Sequence, residues 1–187
     1  MVSIRIIAGS RKGTRLNTLE GDNTRPTLDR VKEALFSMLM NRLIDAKVLD
    51  LFAGSGALGL ESLSRGAESA VFVDKSPQSV KIIKENIDKT GFQAMSKVYK
   101  SDFEEALKKI NDNSEKFDII YLDPPYGKNI VIKTLNCMHK YDILNEDGII
   151  VAETDVSDIV DDVVGDFFKY DERKYGRVRI HFFRKAR

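Results

Sequence analysis

The residues with the clearest chemical potential are Asp123-Pro124-Pro125-Tyr126, which follow a short apolar run at 117–122. The run predicts a buried strand, and the prolines end it with a turn whose φ is held at about −65°. Such a turn presents a carboxylate and neighbouring carbonyls as hydrogen-bond acceptors beside an aromatic ring. These groups suit a flat substrate with an amino group, whose protons the acceptors take while the ring stacks on its face. A strand-ending turn with a chance tyrosine is the alternative interpretation.

A glycine-rich turn supplies the second candidate site. Gly54, Gly56 and Gly59 follow a predicted strand at 47–52 and open an apolar-periodic stretch typical of a helix. Asp74 ends the next apolar run, 20 residues beyond Gly54, where an acid can bind both hydroxyls of a ribose. A tight strand-to-helix turn would explain the glycines alone. Together with the acid, the pattern predicts a cofactor that contains a nucleoside.

The charge around this turn distinguishes between two cofactors. NAD carries a pyrophosphate, which needs bare backbone N–H groups, whereas S-adenosylmethionine carries an ammonium and a sulfonium. Asp50 lies at the strand end just before the glycines, where it would repel a pyrophosphate and attract a cation. Its alternative role is to cap the turn. Glu61 adds negative charge early in the helix, and a solvent-facing helix residue is an equal interpretation for it. We therefore predict S-adenosylmethionine as the cofactor.

Together these motifs resemble a known class of enzymes. Asp50-x-Phe52-x-Gly54-x-Gly56 with Asp123-Pro-Pro-Tyr126 resembles the class I S-adenosylmethionine-dependent amino-methyltransferases. Further segments are similar to the bacterial 16S ribosomal RNA guanine-N2 methyltransferases of the RsmD type, namely 5–13, 24–36, 54–61 and Lys174-Tyr-Gly176. The resemblance implies methyl transfer to the exocyclic N2 of a guanine without a metal. It also implies 16S rRNA as the partner, within the small ribosomal subunit or an assembly intermediate.

The resemblance also assigns roles to single residues. It implies that Asp123 and the Pro124 carbonyl hold the amino group, and that Pro125 and Tyr126 complete the catalytic motif. The cofactor site that it implies comprises Asp50, Phe52, Gly54, Gly56, Asp74, Lys75, Asp102 and Phe103. Asp102 would bind the adenine amino group, or cap the helix that follows it, and one residue can do both.

Basic residues are concentrated at the two ends of the chain. Residues 1–32 carry seven basic and three acidic side chains, residues 169–187 carry eight and two, and the middle carries fifteen and twenty-four. This segregation predicts basic arms that bind a polyanion, although charges also keep a protein soluble. The candidate RNA contacts in the first arm are Arg5, Arg11, Lys12, Arg15 and Arg25. For Arg25, a turn before a helix and a phosphate contact are equally good interpretations.

Composition excludes several classes of protein. The chain has 187 residues, of which 42% are apolar and 32% charged, as expected for one globular α/β body. Cys137 is the only cysteine, so no intramolecular disulfide can form, and two histidines are too few for a Cys/His metal cluster. Because the sequence lacks a membrane-length apolar run and a signal-peptide core, we expect a cytoplasmic location.

Apolar periodicity predicts the elements that would position these groups. Short strands at 4–8 and 14–19 predict an N-terminal β-hairpin with a basic tip, and a helix follows from Thr27. Strands then alternate with helices as far as a last parallel strand at 147–153, which predicts a parallel sheet covered on both faces. Only Tyr175-Gly176 separates the last two strand-like runs, so they must pair as an antiparallel hairpin.

We therefore predict a doubly wound α/β fold. The sheet is mostly parallel and seven-stranded, and with its C-terminal antiparallel hairpin it has the Rossmann-like form of class I methyltransferases. Residues 1–26 would form a basic arm, and residues 27–187 would form the methyltransferase domain.

Three other functions fit parts of the sequence. A DNA adenine-N6 or cytosine-N4 methyltransferase would share the Asp-Pro-Pro-Tyr motif, but the chain has no added domain for target recognition. An NAD-linked oxidoreductase would share the glycines, but Asp50 disfavours it. A non-catalytic RNA-binding assembly factor would keep the basic arms and carry the cofactor motif as a remnant.

Overall fold

The computed structural model of the chain describes residues 4–19, 26–125 and 129–186, and for residues 26–29 it describes the backbone alone. Within these ranges the helices are α1 (Pro26–Leu39), α2 (Ala57–Ser64), α3 (Pro77–Thr90), α4 (Phe103–Asp112) and α5 (Ile130–Met138). The strands are β1 (Lys47–Asp50), β2 (Ser69–Asp74), β3 (Ser96–Lys100), β4 (Phe117–Leu122), β5 (Leu144–Asp155), β6 (Val163–Val164), β7 (Phe167–Tyr175) and β8 (Val178–Lys185).

Local sequence explains where two of these helices begin and end. The Ser76 side chain accepts a hydrogen bond from Ser79 N–H, Pro77 opens α3, and Gly91 closes it with φ +73°. Asp102 caps α4 in the same way, by accepting a hydrogen bond from Glu105 N–H. These caps satisfy backbone groups that a helix end leaves without an internal partner.

The strands form one sheet in the order β3-β2-β1-β4-β5-β8-β7-β6. The strands β1 to β5 run parallel, β8 pairs antiparallel with β5, and β7 pairs antiparallel with β8. The predicted doubly wound fold with its antiparallel hairpin is confirmed. The predicted number of seven strands changes to eight, because the outermost strand β6 contains two residues and leaves no period in the sequence.

Helices cover both faces of the sheet, and each face has its own core. On the first face, α1, α2 and α3 pack against residues that include Val48, Phe72, Ile119, Tyr121 and Val151. On the second face, α4 and α5 pack against residues that include Leu49, Val71, Ile120, Leu122, Ile150 and Ala152. Side chains along β4 and β5 therefore alternate strictly between the two faces, as buried strands require.

The first described residues form an N-terminal arm (residues 4–19) that lies on the first face. Its two halves approach each other in antiparallel fashion at the Arg5–Arg15 bridge, with Ile6 N–H donating to Thr14 O at 3.0 Å. The predicted hairpin is thus present as a single bridge. Ile6 and Leu16 of the arm are buried in the same core as the helices. The boundary at residue 26 stays a prediction.

Among the described residues, no helix combines the length and the apolar character needed to cross a bilayer.

Candidate active site

A tight turn links β1 to α2 and contains the first two predicted glycines. Gly54 and Gly56 have φ of +56° and +80°, a region that residues with side chains rarely adopt. Among the described residues, a Cβ built on Gly54 would meet nothing within 4 Å, so the turn is open above it. A Cβ on Gly59 would lie 2.3 Å from Phe72 Cε1, so this glycine allows α2 to approach β2.

Asp50 ends β1 directly beneath this turn and is only 1% exposed. Its Oδ2 accepts a hydrogen bond from Gly59 N–H at 3.1 Å, while its buried Oδ1 has no hydrogen-bond partner within the described ranges. Burial raises the pKa of this carboxyl to about 7, a rise that the Gly59 hydrogen bond opposes and the charge of Asp74 increases. A buried acceptor without a donor is unfavourable, and an ammonium group would satisfy it.

Asp74 ends β2 and braces the turn from the other side. Its Oδ2 accepts a hydrogen bond from Gly54 N–H at 2.9 Å, and its Oδ1 accepts one from Ser76 N–H at 2.8 Å. Each carboxylate oxygen has a further lone pair, so ribose hydroxyls can be bound without breaking these hydrogen bonds. The residue therefore shapes the glycine turn in addition to its predicted contact with the cofactor. Lys75 follows it and is exposed.

Two aromatic rings lie beside the turn. The ring centroids of Phe52 and Phe103 are 5.8 Å apart with an interplanar angle of 47°, and both residues are partly exposed. Asp102 precedes Phe103 and is exposed, with its Oδ1 accepting a hydrogen bond from Glu105 N–H at 2.9 Å. The helix-capping role of Asp102 is thus present in the structure, and its contact with adenine stays a prediction. Such rings offer an apolar surface for the flat face of a base.

Asp123 follows β4 at the same edge of the sheet. The parallel register pairs Asp50 with Tyr121, so Asp123 lies two residues further towards the carboxyl edge than Asp50. Asp123 and Pro125 are exposed and Pro124 is buried. Tyr126, the fourth residue of the predicted catalytic motif, lies outside the described residues. The structure therefore brings Asp50, Asp74 and Asp123 to one edge, where doubly wound sheets bind their ligands.

Comparisons with known proteins agree with this arrangement. The profile of a protein family described as "conserved hypothetical protein 95" matches residues 4–184. The Escherichia coli protein named ribosomal RNA small subunit methyltransferase D is 30% identical over 182 residues, which cover 97% of this chain and 90% of the relative. The YlbH protein of Bacillus subtilis is 38% identical, over 97% of this chain and 99% of its own length. This chain belongs to the RsmD-type methyltransferase family.

A solved structure supports the same conclusion for this RsmD-type chain. The YhhF protein of Escherichia coli superimposes with a TM-score of 0.86 at 30% identity, over 99% of both chains. The match includes the N-terminal arm and the C-terminal hairpin as well as the central sheet. The Rossmann-like fold of class I methyltransferases is therefore confirmed for the whole described chain.

Glu61 has a structural task in this RsmD-type fold. It is fully buried in α2, and its two carboxylate oxygens accept hydrogen bonds from Ile7 N–H at 2.8 Å and Ala8 N–H at 3.0 Å. Lys32 and Arg65 form ion pairs with it at 3.1 and 2.8 Å. Burial by itself raises the pKa of Glu61, but Lys32 and the hydrogen bonds outweigh it and hold the pKa below its usual value. Glu61 therefore anchors the arm and does not face solvent.

Arg11 is also committed to holding the arm in place. Its Nε donates to Thr90 O at 2.6 Å at the end of α3, and its guanidinium carbon lies 5.7 Å from the centroid of Phe92. Lys12, Arg15 and Arg5 are exposed, so their predicted RNA contacts stay predictions that the geometry permits. Arg25 lies outside the described residues.

Most cations of the basic C-terminal segment are paired with acids. Ion pairs join Lys169 to Asp162 and Glu172, Arg173 to Asp171, Arg177 to Asp155, Arg179 to Glu172, and Lys185 to Asp142. The acids come partly from the chain outside residues 169–187, which is why the sequence count gave a larger local charge than the surface carries. The N-terminal arm is therefore the stronger candidate for contact with a polyanion.

Two further residues of the site were absent from the sequence prediction. Asn86 of α3 is fully buried, and its amide nitrogen donates to Ser55 O at 2.8 Å and to Asn17 O at 2.9 Å. It thereby joins the glycine turn to the N-terminal arm. The sequence gives no sign of this role, because a single polar residue in an amphipathic helix normally faces solvent. Glu153 lies near the end of β5 and lines a small cavity with Pro124 and Pro125. An acid at the end of the predicted strand 147–153 was the available signal.

Proposed function

We propose that this protein transfers a methyl group from S-adenosylmethionine to the exocyclic N2 of a guanine in small-subunit ribosomal RNA. The observation that carries the proposal is the pairing of two features at one sheet edge. A buried acid with an unsatisfied oxygen, Asp50, lies below an open glycine turn, and Asp123-Pro124-Pro125 follows the neighbouring strand. The family relatives named as ribosomal RNA small subunit methyltransferases support the choice of substrate.

The residues at the edge fit this cofactor. Asp50 Oδ1 would accept a hydrogen bond from its ammonium group, and the Asp74 carboxylate would accept from the ribose hydroxyls. Phe52 and Phe103 would pack on the adenine, with Asp102 at its amino group, and exposed Lys75 would lie beside the ribose. When bound, S-adenosylmethionine supplies an electrophilic methyl group on a sulfonium.

Asp123 would prepare the nucleophile. The lone pair of the guanine amino group is delocalised into the base, so it is a weak nucleophile until hydrogen bonds localise it. Asp123 and the Pro124 carbonyl accept those hydrogen bonds and aim the nitrogen at the methyl carbon, which contributes mainly by proximity and orientation. The N–C bond forms as the C–S bond breaks, and the extra proton on nitrogen passes to Asp123 or to water. Electrostatic stabilisation of the developing ammonium adds to the effect.

The base must leave its stack to reach this edge, and Tyr126 would stack on its exposed face. Exposed Lys12 and Arg15, with Arg5 and Arg25, would contact phosphates of the surrounding RNA. The substrate is 16S rRNA, naked or within the small subunit or an assembly intermediate, and the reaction takes place in the cytoplasm without a metal.

The test is methylation with labelled S-adenosylmethionine and separate pools of naked rRNA, small subunits and duplex DNA, followed by nucleoside analysis. We expect N2-methylguanosine from one or both RNA pools and none from DNA. Methylated adenine or cytosine in DNA would replace the proposal with a DNA amino-methyltransferase. Cofactor binding without label transfer to any pool would favour a non-catalytic assembly factor.

Asp123→Ala should lower turnover by about three orders of magnitude or more and leave cofactor affinity unchanged, because Asp123 acts on the nucleophile. Single-turnover kinetics and calorimetry measure the two quantities. Asp112→Ala, an exposed acid at the end of α4, is the matched control and should retain full activity. An equal loss of cofactor affinity in Asp123→Ala would show that the residue belongs to the cofactor site.

A further inference from the structure

Glu153 lies beside Asp123 on the neighbouring strand. The parallel pairing of β4 with β5 aligns Tyr121 with Val151 and Leu122 with Ala152. Asp123 follows Leu122 directly after β4, and Glu153 follows Ala152 within β5, so both residues continue from a strand pair whose backbones are about 5 Å apart. Both residues therefore stand at the carboxyl edge of the sheet, next to each other.

The alternation of side chains places Glu153 on the same face of the sheet as Asp50. Val151 belongs to the core of the first face and Ala152 to that of the second, so the Glu153 side chain returns to the first face. Val48 likewise lies on the first face, and Asp50 follows it by two residues. Glu153 is half-buried at this edge of the sheet.

The backbone around Glu153 is held firmly on its other side. Glu153 pairs with Ile180 of β8, and this pairing continues to Asp155 and Val178. Thr154 Oγ1 lies 2.9 Å from the Nε2 atom of His181, a residue that is fully buried. Burial lowers the pKa of His181 to about 4, although Glu172 opposes this, so the ring is neutral near pH 7. Because the backbone at this end of β5 is held by β8, the Glu153 carboxylate has the defined position that discrimination between bases requires.

Guanine differs from adenine and cytosine at the ring nitrogen next to its amino group. In guanine this nitrogen, N1, carries a proton and is a donor, whereas the corresponding nitrogens of adenine and cytosine are acceptors. A carboxylate accepts hydrogen bonds only, so it attracts the guanine edge and repels the other two.

We propose that Glu153 accepts the N1–H of the target guanine while Asp123 holds the adjacent N2 amino group, so that Glu153 determines the choice of base. This inference rests on the proposed function and adds a residue that discriminates guanine from other bases bearing an amino group. Two adjacent acceptors on two strands match two adjacent donors on one edge of the base.

The test uses 2-aminopurine, which keeps the amino group of guanine but presents an acceptor at N1. After the methylated position has been mapped with the wild-type enzyme, it is replaced by 2-aminopurine in an otherwise identical RNA. The wild type should prefer guanine by roughly 10- to 100-fold in kcat/KM, since a correct pair of hydrogen bonds is worth about 1–3 kcal/mol of discrimination. Glu153→Gln should narrow this preference by roughly 10-fold or more, because its amide oxygen still accepts from guanine N1–H while its NH2 group can donate to N1 of 2-aminopurine.

Cofactor affinity provides the control for folding. Glu153→Gln should bind S-adenosylmethionine within about twofold of wild type, and Glu146→Gln, an exposed acid at the opposite end of β5, should match wild type in every assay. An unchanged preference for guanine in Glu153→Gln, with N2-methylguanosine still formed by the wild type, would overturn the role of Glu153 alone. A wild type that methylates no guanine would instead overturn the proposed function.

Discussion

Asp50 is held where its charged form is unfavourable in the free protein. Burial raises the pKa of its carboxyl to about 7 from an ordinary value of 3.8. Because the folded state binds this proton more tightly than the unfolded state does, the stabilisation from this group is complete below about pH 4 and is lost as the pH rises to about 7. A cation at the unsatisfied Oδ1 would reverse the effect by favouring the carboxylate.

Binding of S-adenosylmethionine should therefore release a proton in mildly acidic solution. At pH 6 the release should be about one proton, at pH 8.5 it should be about zero, and affinity should fall about tenfold per pH unit below pH 7. Calorimetry in buffers of different ionisation enthalpy measures the release. Asp50→Asn should bind weakly and without a pH-dependent proton release. A wild type that binds with no proton release at pH 6 would contradict this account of the site.

Sequence patterns predicted the residues whose roles depend on their place at a strand end or in a turn. The cofactor prediction rests on Asp50, Asp74 and the glycine turn, because strand ends and turns have local signatures. The same patterns left Glu61 open, since its partners Ile7 and Ala8 are more than fifty residues away along the chain. The hydrogen bond from Arg11 to Thr90 O was hidden for the same reason, and the RNA contact predicted for Arg11 stays a prediction.

At the scale of elements, helix α2 serves both the cofactor turn and the N-terminal arm. Its first residues follow the glycines, and its buried Glu61 accepts the Ile7 and Ala8 N–H groups of the arm. Asn86 of α3 forms a second link between arm and turn. The arm is thus attached at both of its halves to helices that also frame the site.

Glu61→Gln should destabilise the protein by about 3 kcal/mol, because it removes the buried negative charge that Lys32 and Arg65 both contact. Chemical denaturation measures the free energy of unfolding. In the variant, hydrogen exchange at the Ile7 and Ala8 amides should accelerate relative to wild type by more than exchange elsewhere on the first face. Glu68→Gln, an exposed acid shortly after α2, is the matched control. A loss below about 0.5 kcal/mol in Glu61→Gln would show that the arm is anchored elsewhere.

The order of the main strands and helices was predictable, but two details of the sheet depended on tertiary pairing. Strand β5 extends over Leu144–Asp155, well beyond the predicted 147–153, because β4 and β8 pair with it on either side. Strand β6 is defined only by its pairing with β7. Neither the added length of β5 nor the strand β6 shows an alternating apolar pattern in the sequence. Both depend on pairing with neighbouring strands.

At the scale of the whole molecule, the two basic ends of the chain differ in how many of their cations are paired with acids. The C-terminal cations are largely neutralised by ion pairs, whereas Lys12 and Arg15 of the arm are exposed. Exposed pairs contribute little stability, but a paired cation must give up its partner before it can neutralise a phosphate. The arm therefore offers the better contact with RNA.

Replacing Lys12 and Arg15 with alanine should flatten the slope of log affinity for rRNA against log salt by roughly 1.5, since each phosphate contact contributes about 0.7–0.9. Filter binding over a range of salt concentrations measures the slope. Cofactor affinity should be unchanged, because both side chains are exposed on the N-terminal arm.

The matched control is Arg173→Ala with Arg177→Ala, which removes the same charge from two ion-paired positions. Its salt slope should equal that of wild type. If both double variants flatten the slope equally, binding depends on overall charge, and the arm has no special contact with RNA.

The two borders of the sheet, formed by β7 with the short strand β6 and by β3, bear on whether the sheet can pair with a second copy of the chain. An outer strand carries unpaired backbone groups that can recruit a strand from a second copy, which is the usual route to fibrous aggregation. On one border β6 covers only Phe167 and Phe168 of β7, and the rest of the β7 edge carries mostly charged residues between Lys169 and Lys174. On the other border β3 presents exposed Lys97 and Lys100. An incoming copy of β3 would bring like charges together in a poorly hydrated seam. Charged residues on both borders thus disfavour edge-to-edge pairing of an otherwise extensive sheet.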